Sequence, residues 1–277
     1  MLRVCLLITV LMLGQAFAGA IGVDASANET FGHTMTLFVH QLLLVYWLGP
    51  DIAIFIWGWS AVKAGLDVGQ RIAAGKMMTT IDFVPRVCVS LFLTVAGILS
   101  ATYGLSHPWW QMAGIILLGP VWLTIVLLSY LKRGSDLGGL ADRFDFWLRG
   151  VLVVGIPISV MWSVSTGRFA GSPWIAGKLM IFAVVILLGS IMRLKLRAFF
   201  EGLNKLETDG QSEAVNTMIA TSFARARPLW PAVWLLLLLA SLMGIMKPGE
   251  QGSARTAAMT GSVASQWALV RSISSSR

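Results

Sequence analysis

The sequence predicts an all-α protein: a polytopic membrane helix bundle of about six transmembrane helices that follow an N-terminal signal sequence. Three observations predict it. Of the 277 residues, 56% are hydrophobic and only 12% are charged, with a mean hydropathy of +0.77, whereas about a quarter of a soluble domain is charged. Apolar stretches long enough to cross a bilayer occur repeatedly along the chain. The basic residues cluster in every second connection between those stretches.

The first twenty residues have the organisation of a secretory signal. Arg3 supplies a short positive start, residues 4–13 form an apolar stretch, and Ala16-Phe17-Ala18 is a small-x-small cleavage pattern. The alternative is an uncleaved first helix. We therefore assign residues 1–20 to the signal peptide and residues 21–247 to the six-helix domain.

Six apolar stretches contain the ~20 residues that a helix needs to cross the hydrocarbon layer. Tryptophans at their ends are typical of interfacial anchors; these are Trp109, Trp110, Trp174 and Trp230. The predicted spans are residues 35–62, 83–103, 109–131, 146–165, 174–193 and 229–246.

The charge distribution orients the bundle. Of the 21 basic residues, 11 fall between the first and second, the third and fourth, and the fifth and sixth spans. Three more, Arg86, Arg149 and Arg193, lie within four residues of the same span ends, which gives a total of 14. The positive-inside rule places these connections in the cytoplasm. We expect a bacterial inner-membrane protein in contact with the lipid bilayer, with both mature termini in the periplasm. This orientation explains the net charge of +8, so no nucleic-acid partner is predicted.

Two segments outside the spans have their own composition. In residues 194–227, charged residues alternate with Leu and Phe. This pattern predicts a basic amphipathic helix on the cytoplasmic membrane surface. Residues 248–277 are rich in Ser, Ala, Gly and Thr, which predicts a flexible periplasmic tail.

Proline interrupts three of the spans near mid-depth. It removes a helix hydrogen bond, and in lipid the freed carbonyl needs another partner. One interpretation is that the bends only help the helices pack, and the other is that they form a polar cavity at the midplane. The sites are Gly49-Pro50, Gly119-Pro120 and Gly155-Ile156-Pro157.

His40, Trp47 and Asp51 share one stripe of the first span, because positions seven and eleven apart lie within ~20° on a helix. Asp51 is the only acidic residue that we place deep in the membrane, where an ionised carboxylate costs at least ~2.5 kcal/mol. The stripe should face the bundle interior. Asp51, with Trp47 beside it, is then either a proton-carrying or cation-binding site or a structural carboxyl bonded to a neighbouring helix. Candidate structural partners are Thr94, Ser159 and Trp162.

The candidate metal ligands are His33, His40 and His107, which all fall in the outer half or the outer connections with methionines nearby. Imidazole together with thioether suits copper. The alternative for each histidine is a hydrogen bond at the interface. His40 and Asp51 lie ~16 Å apart along the helix, so the two cannot hold one ion together. Lys178 either extends its ammonium to the outer interface or contacts a substrate.

Two helices resemble those of copper resistance D (CopD)-like proteins. In the first, His40, six further residues, Trp47-Leu48-Gly49 and then Phe55 are similar to the family's H-x6-W-x-G pattern with a later aromatic residue. In the second, Gly177-Lys178-Leu179 is followed by an apolar run and by Arg193. The resemblance implies an all-helical inner-membrane protein whose His40 takes part in handling copper, with a periplasmic metal-binding protein as a partner.

The sequence contains no motif typical of an enzyme, such as a phosphate-binding glycine loop, HExxH, CxxC or a nucleophile elbow. We therefore predict a protein without enzymatic activity. Three functions remain open: metal binding or transport at the periplasmic face, proton-coupled transport or a channel that uses Asp51, and a non-catalytic membrane subunit or assembly partner.

Overall fold

The structure is a computed structural model that describes residues 25–250, with side chains from residue 31 onward. The predicted signal peptide and residues 251–277 of the predicted tail lie outside the described residues. The described chain forms helices without strands, which confirms the predicted all-α class. The helices are α1 Ala25–Val62, α2 Val68–Ile81, α3 Phe83–Thr102, α4 Trp109–Leu131, α5 Asp136–Ser165, α6 Pro173–Thr208, α7 Glu213–Ala226 and α8 Leu229–Met246.

Six stretches of the described chain are long and apolar enough to cross a membrane, so the chain is a multi-pass membrane protein. They centre on α1, α3, α4, α5, α6 and α8. These six helices pack in chain order around the bundle, and α8 returns to contact α1. One end of the bundle carries most of the Lys and Arg residues, and we call it the basic end. Helices α1, α4 and α6 end there, and helices α3, α5 and α8 begin there. The other end is the histidine end.

Two helices extend well beyond their predicted spans at the basic end. Helix α5 begins ten residues before the predicted start at residue 146, and α6 continues to Thr208 rather than ending near residue 193. Ser135 caps α5 by accepting a hydrogen bond from the Gly138 amide. At 1.5 Å per residue, a helix of this length is longer than the hydrocarbon layer is thick, so both helices carry charged turns beyond the apolar stretch.

The extra turns of α6 are covered by a second small core, which we call the cap. It is formed by α2, α7 and the basic-end turns of α1, α6 and α8, and it is separate from the main core of the bundle. The predicted amphipathic segment 194–227 is therefore two packed helices rather than one. Gly210 turns the chain between them with φ of +82°, and Ser212 caps α7. Buried members include Phe199, Leu203, Ile219, Phe223 and Trp230.

Arg71 is buried inside the cap without a carboxylate partner among the described residues. Its Nε donates to the Ala61 carbonyl at 2.9 Å, and its Nη1 donates to Asn216 Oδ1 at 2.7 Å. Ala61 is next to the last residue of α1, so Arg71 satisfies a carbonyl that the end of a helix leaves unpaired. One α2 side chain thus fastens the end of α1 to α7.

Tryptophan positions agree with the prediction at one site only. Trp109 and Trp110 are exposed at the start of α4, as interfacial anchors should be. Trp174 and Trp230 are buried, so their prediction as interfacial anchors is wrong. Trp230 packs against Phe223 in the cap. The sequence located these residues at helix ends but could not show which side of the helix would be covered.

The proline interruptions are accommodated within α1, α4 and α5. At the α4 site, the Thr94 hydroxyl of α3 donates to the Ile115 carbonyl at 2.6 Å and accepts from the Gly119 amide at 2.8 Å. Backbone groups in lipid need hydrogen-bond partners within the protein. Here the Thr94 side chain of a neighbouring helix supplies partners for two backbone groups beside Pro120.

Candidate functional site

The carboxylate of Asp145 joins three helices at the basic end and is only 1% exposed. It accepts hydrogen bonds from Trp122 Nε1 of α4 at 2.7 Å, from Arg149 Nε of α5 at 3.1 and 3.2 Å, and from Arg193 Nη1 of α6 at 2.7 Å. Arg149 also lies over the Trp122 ring, 5.4 Å from its centroid. One carboxylate faces two guanidinium groups, so the cluster is net positive.

A second ion pair lies nearby at the start of α3. Arg86 Nε donates to Asp82 Oδ2 at 2.7 Å, and its Nη1 lies 3.5 Å from Asp142 Oδ1 of α5. Asp142 is more than half exposed. This pair therefore resembles a helix-end contact of modest strength, whereas the Asp145 carboxylate is buried inside the bundle.

A cavity of about 470 Å³, which we call the basic-end cavity, is lined by residues of both ionic groups: Arg149 and Arg193 of the Asp145 cluster, and Asp82 and Arg86 of the second pair. Asp51 lines the same cavity from α1 and is partly buried. Its Oδ2 accepts a hydrogen bond from Trp234 Nε1 of α8 at 2.8 Å. The described residues give Asp51 no ion pair and no other hydrogen bond. Asp51 thus has one oxygen held by an indole and one available to the cavity.

The partner of Asp51 differs from the three suggested by sequence. Thr94 is engaged at the α4 kink, and Trp162 and Ser159 are exposed on α5. A second acidic residue of the described chain, Asp145, is more deeply buried in the bundle than Asp51. The sequence placed Asp145 just outside the fourth span, but α5 already begins at Asp136.

A layer of aromatic rings separates the basic-end cavity from a second cavity. Trp47 of α1 contacts Phe92 of α3 and Phe182 of α6 edge-on, with centroid distances of 5.6 and 6.2 Å, and the two phenylalanines stack at 5.7 Å. Trp47 lines the basic-end cavity, while Phe92 and Phe182 line the second. Val185 lines both cavities, so they lie back to back. We call these rings the aromatic layer.

The second cavity, the histidine-end cavity, has a volume of about 230 Å³. His40 lines it, is 6% exposed, and packs against Phe92 with a centroid distance of 4.4 Å. Lys178 also lines it, and its ammonium lies beside Gly244 of α8 and the buried Trp174 ring. The stripe of His40, Trp47 and Asp51 faces the interior, as its spacing predicts, and it connects the two cavities across the aromatic layer.

The three histidines do not converge on one site. His33 Nδ1 lies 2.8 Å from the Thr102 hydroxyl, and its ring meets Tyr103 edge-on. His107 lines the cavity with His40, but its Nε2 lies 3.0 Å from Ser100 Oγ. Within residues 31–250 no three His, Cys, Asp or Glu side chains are grouped as metal ligands. Copper binding by His33, His40 and His107 stays a prediction.

His107 lies in the connection between α3 and α4, outside the spans. Its Nδ1 is 2.7 Å from Nη2 of Arg168 and 3.4 Å from Gln111 Oε1. Burial, followed by the positive charge of Arg168, lowers the pKa of His107 below its ordinary value. The neutral imidazole is therefore favoured here.

Sequence reasoning missed the Asp145 cluster. A usable signal exists in the Asp145 and Arg149 spacing, because residues four apart meet on one helix face. Its partner Arg193 lies 48 residues after Asp145 in the chain, and no local pattern pairs them.

Fold and site together define a multi-pass membrane protein with two back-to-back cavities that are lined in part by charged side chains and divided by aromatic side chains. No family model, curated protein or solved structure matches this chain. The resemblance to CopD-like proteins stays a prediction.

Proposed function

We propose that the protein is a transporter that carries protons across the membrane, with Asp51 as the group that binds and releases the proton. The observation that carries the proposal is the position of one helix stripe between two cavities. His40 reaches the histidine-end cavity, Asp51 reaches the basic-end cavity, and Trp47 lies in the aromatic layer between them. The basic end is the cytoplasmic end in this proposal, in keeping with the positive-inside rule.

The environment of Asp51 suits a proton carrier. Trp234 is a donor only, so its hydrogen bond to Oδ2 can persist whether Asp51 is a carboxylate or a carboxylic acid. The other oxygen can exchange a proton with the cavity. Asp145 is unsuited to this role, since two arginines and Trp122 hold both of its oxygens. It instead links α4, α5 and α6, of which α5 and α6 line the cavity.

Proton flux into proteoliposomes tests the proposal. Purified protein is reconstituted, an inside-negative potassium diffusion potential is imposed with valinomycin, and lumenal pH is followed with pyranine. We expect acidification with the wild-type protein and its loss with Asp51→Asn. The matched control is Asp142→Asn, which removes an exposed carboxylate from the same cavity and should retain the flux.

Two outcomes would contradict the proposal. One is a wild-type flux no greater than that of empty liposomes. The other is equal flux through wild-type protein and Asp51→Asn, which would favour a structural role for the carboxyl and a non-catalytic membrane subunit.

A further inference from the structure

The histidine-end cavity carries basic side chains and no acidic ones among its lining residues in the described chain. Lys178, Arg168, His40 and His107 line it, and the remaining lining is mainly apolar. A cation site needs carboxylates or other oxygen acceptors. A cavity with basic and no acidic lining residues is instead suited to an anion.

Lys178 has no anionic partner within the described residues. Its Nζ packs closely against Gly244 of α8: a Cβ atom added to this glycine would lie 2.8 Å from Nζ. The same Nζ lies 5.6 Å from the centroid of the Trp174 ring. A cation–π contact offsets only part of the desolvation free energy of an ammonium group among apolar side chains. Glu250, which also contacts Trp174, is engaged by Lys247 at 3.7 Å and by Trp174 Nε1 at 3.1 Å.

His40 supplies a second unused polar atom. Its side chain is more than nine-tenths buried, and Nδ1 has no hydrogen-bond partner in the described structure. A buried polar atom normally has a partner, and each exception needs an explanation. In the tautomer with a proton on Nδ1, this atom can donate to an anion in the cavity.

Arg168 places a further positive charge at the outer side of the cavity. Its guanidinium is held in place by the Ser106 carbonyl at 2.6 Å, Gln111 Oε1 at 2.9 Å and His107 Nδ1 at 2.7 Å. None of these partners is negatively charged, so the positive charge of Arg168 remains available to attract an anion toward the cavity.

We propose that the histidine-end cavity binds a small organic monocarboxylate. The carboxylate is held by Lys178 and His40, and its apolar body packs against the rings of Phe92 and Phe182. The volume of about 230 Å³ fits a ligand of this size, because an apolar cavity of about 150 Å³ can hold benzene. This binding does not depend on proton movement through Asp51.

Calorimetric titration with benzoate tests the site. The full chain is placed in nanodiscs of zwitterionic lipid, and empty nanodiscs correct for partition into lipid. Benzamide and benzylammonium are the neutral and cationic counterparts of nearly the same shape. We expect benzoate to bind, benzamide to bind more weakly, and benzylammonium not to bind. Equal binding of benzoate and benzylammonium, or no benzoate binding, would overturn the proposal with wild-type protein alone.

Lys178→Met tests the anchor by replacing the ammonium with an uncharged, unbranched side chain that is one heavy atom shorter. We expect benzoate affinity to fall at least about tenfold, as for the loss of a hydrogen bond to a charged group. Lys132→Met, at the exposed basic end of α4, is the matched control and should bind as the wild type does. Unchanged affinity in Lys178→Met would overturn the assignment. Asp51→Asn should bind benzoate normally, so failure of proton flux and failure of this site can be told apart.

Discussion

Replacing Asp145 by Asn tests whether the buried ionic cluster holds the bundle together. The substitution keeps the shape of the side chain but leaves Arg149 and Arg193 facing each other without a carboxylate. Removing one partner of a buried ion pair costs about 3–5 kcal/mol, because the remaining charge is left uncompensated. Asp145 is such a buried ion-pair partner, because it accepts four hydrogen bonds and is only 1% exposed. We therefore expect Asp145→Asn to lower the free energy of unfolding by that amount.

Unfolding in mixed micelles by titration with sodium dodecyl sulfate measures the effect, with circular dichroism reporting the loss of helix. Asp142→Asn is the control, since Asp142 is 55% exposed and 3.5 Å from Arg86, and such contacts contribute about 0–1 kcal/mol. Equal losses of stability in the two variants would refute the reasoning. In the double variant Asp145→Asn with Arg193→Gln, we expect a smaller loss than the sum of the two single changes, because the residues share one network.

Two further predictions concern the connections around the bundle. Thr94→Val removes the hydroxyl that bridges Ile115 and Gly119; it should lower the free energy of unfolding by about 0.6–1.7 kcal/mol in the same titration, and Thr94→Ser should not. Burial and Arg168 lower the pKa of His107 in the folded state. The unfolded chain therefore binds the proton more readily, and the free energy of unfolding should decrease as the pH is lowered below about 6.5. His107→Gln should show a smaller fall in melting temperature between pH 7 and pH 5, whereas an unchanged pH profile would contradict this assignment.

The spans were predictable because lipid imposes a minimum length and a nearly continuous apolar composition. The stripe of His40, Trp47 and Asp51 followed from helix geometry alone, and both His40 and Trp47 are buried as expected. Helix α2 was missed because its sequence is neither apolar enough for a span nor preceded by an obvious break. Its start is marked only by Asp67, which accepts a hydrogen bond from the Gly69 amide.

The candidate site was predictable only in part, since its contacts join distant positions. Trp234, the partner of Asp51, lies 183 residues further along the chain. A single sequence contains the chemistry of both side chains but no information on which helices become neighbours. The apolar composition of a segment indicates where burying a charged group costs free energy, whereas the packing of the helices decides which donor forms a hydrogen bond to that group.

The buried Arg71 has a consequence for biosynthesis. Its partner Asn216 is 145 residues further along the chain, which a ribosome adding about 5–20 residues per second supplies only on the order of ten seconds later. During that interval the Arg71 guanidinium has only the Ala61 carbonyl and the water at the basic end as partners. Once α7 emerges, the same guanidinium becomes an internal fastener between α1 and α7. Closure of the cap is therefore a late step in assembly, and a chain that ends before α7 would leave Arg71 without its Asn216 partner.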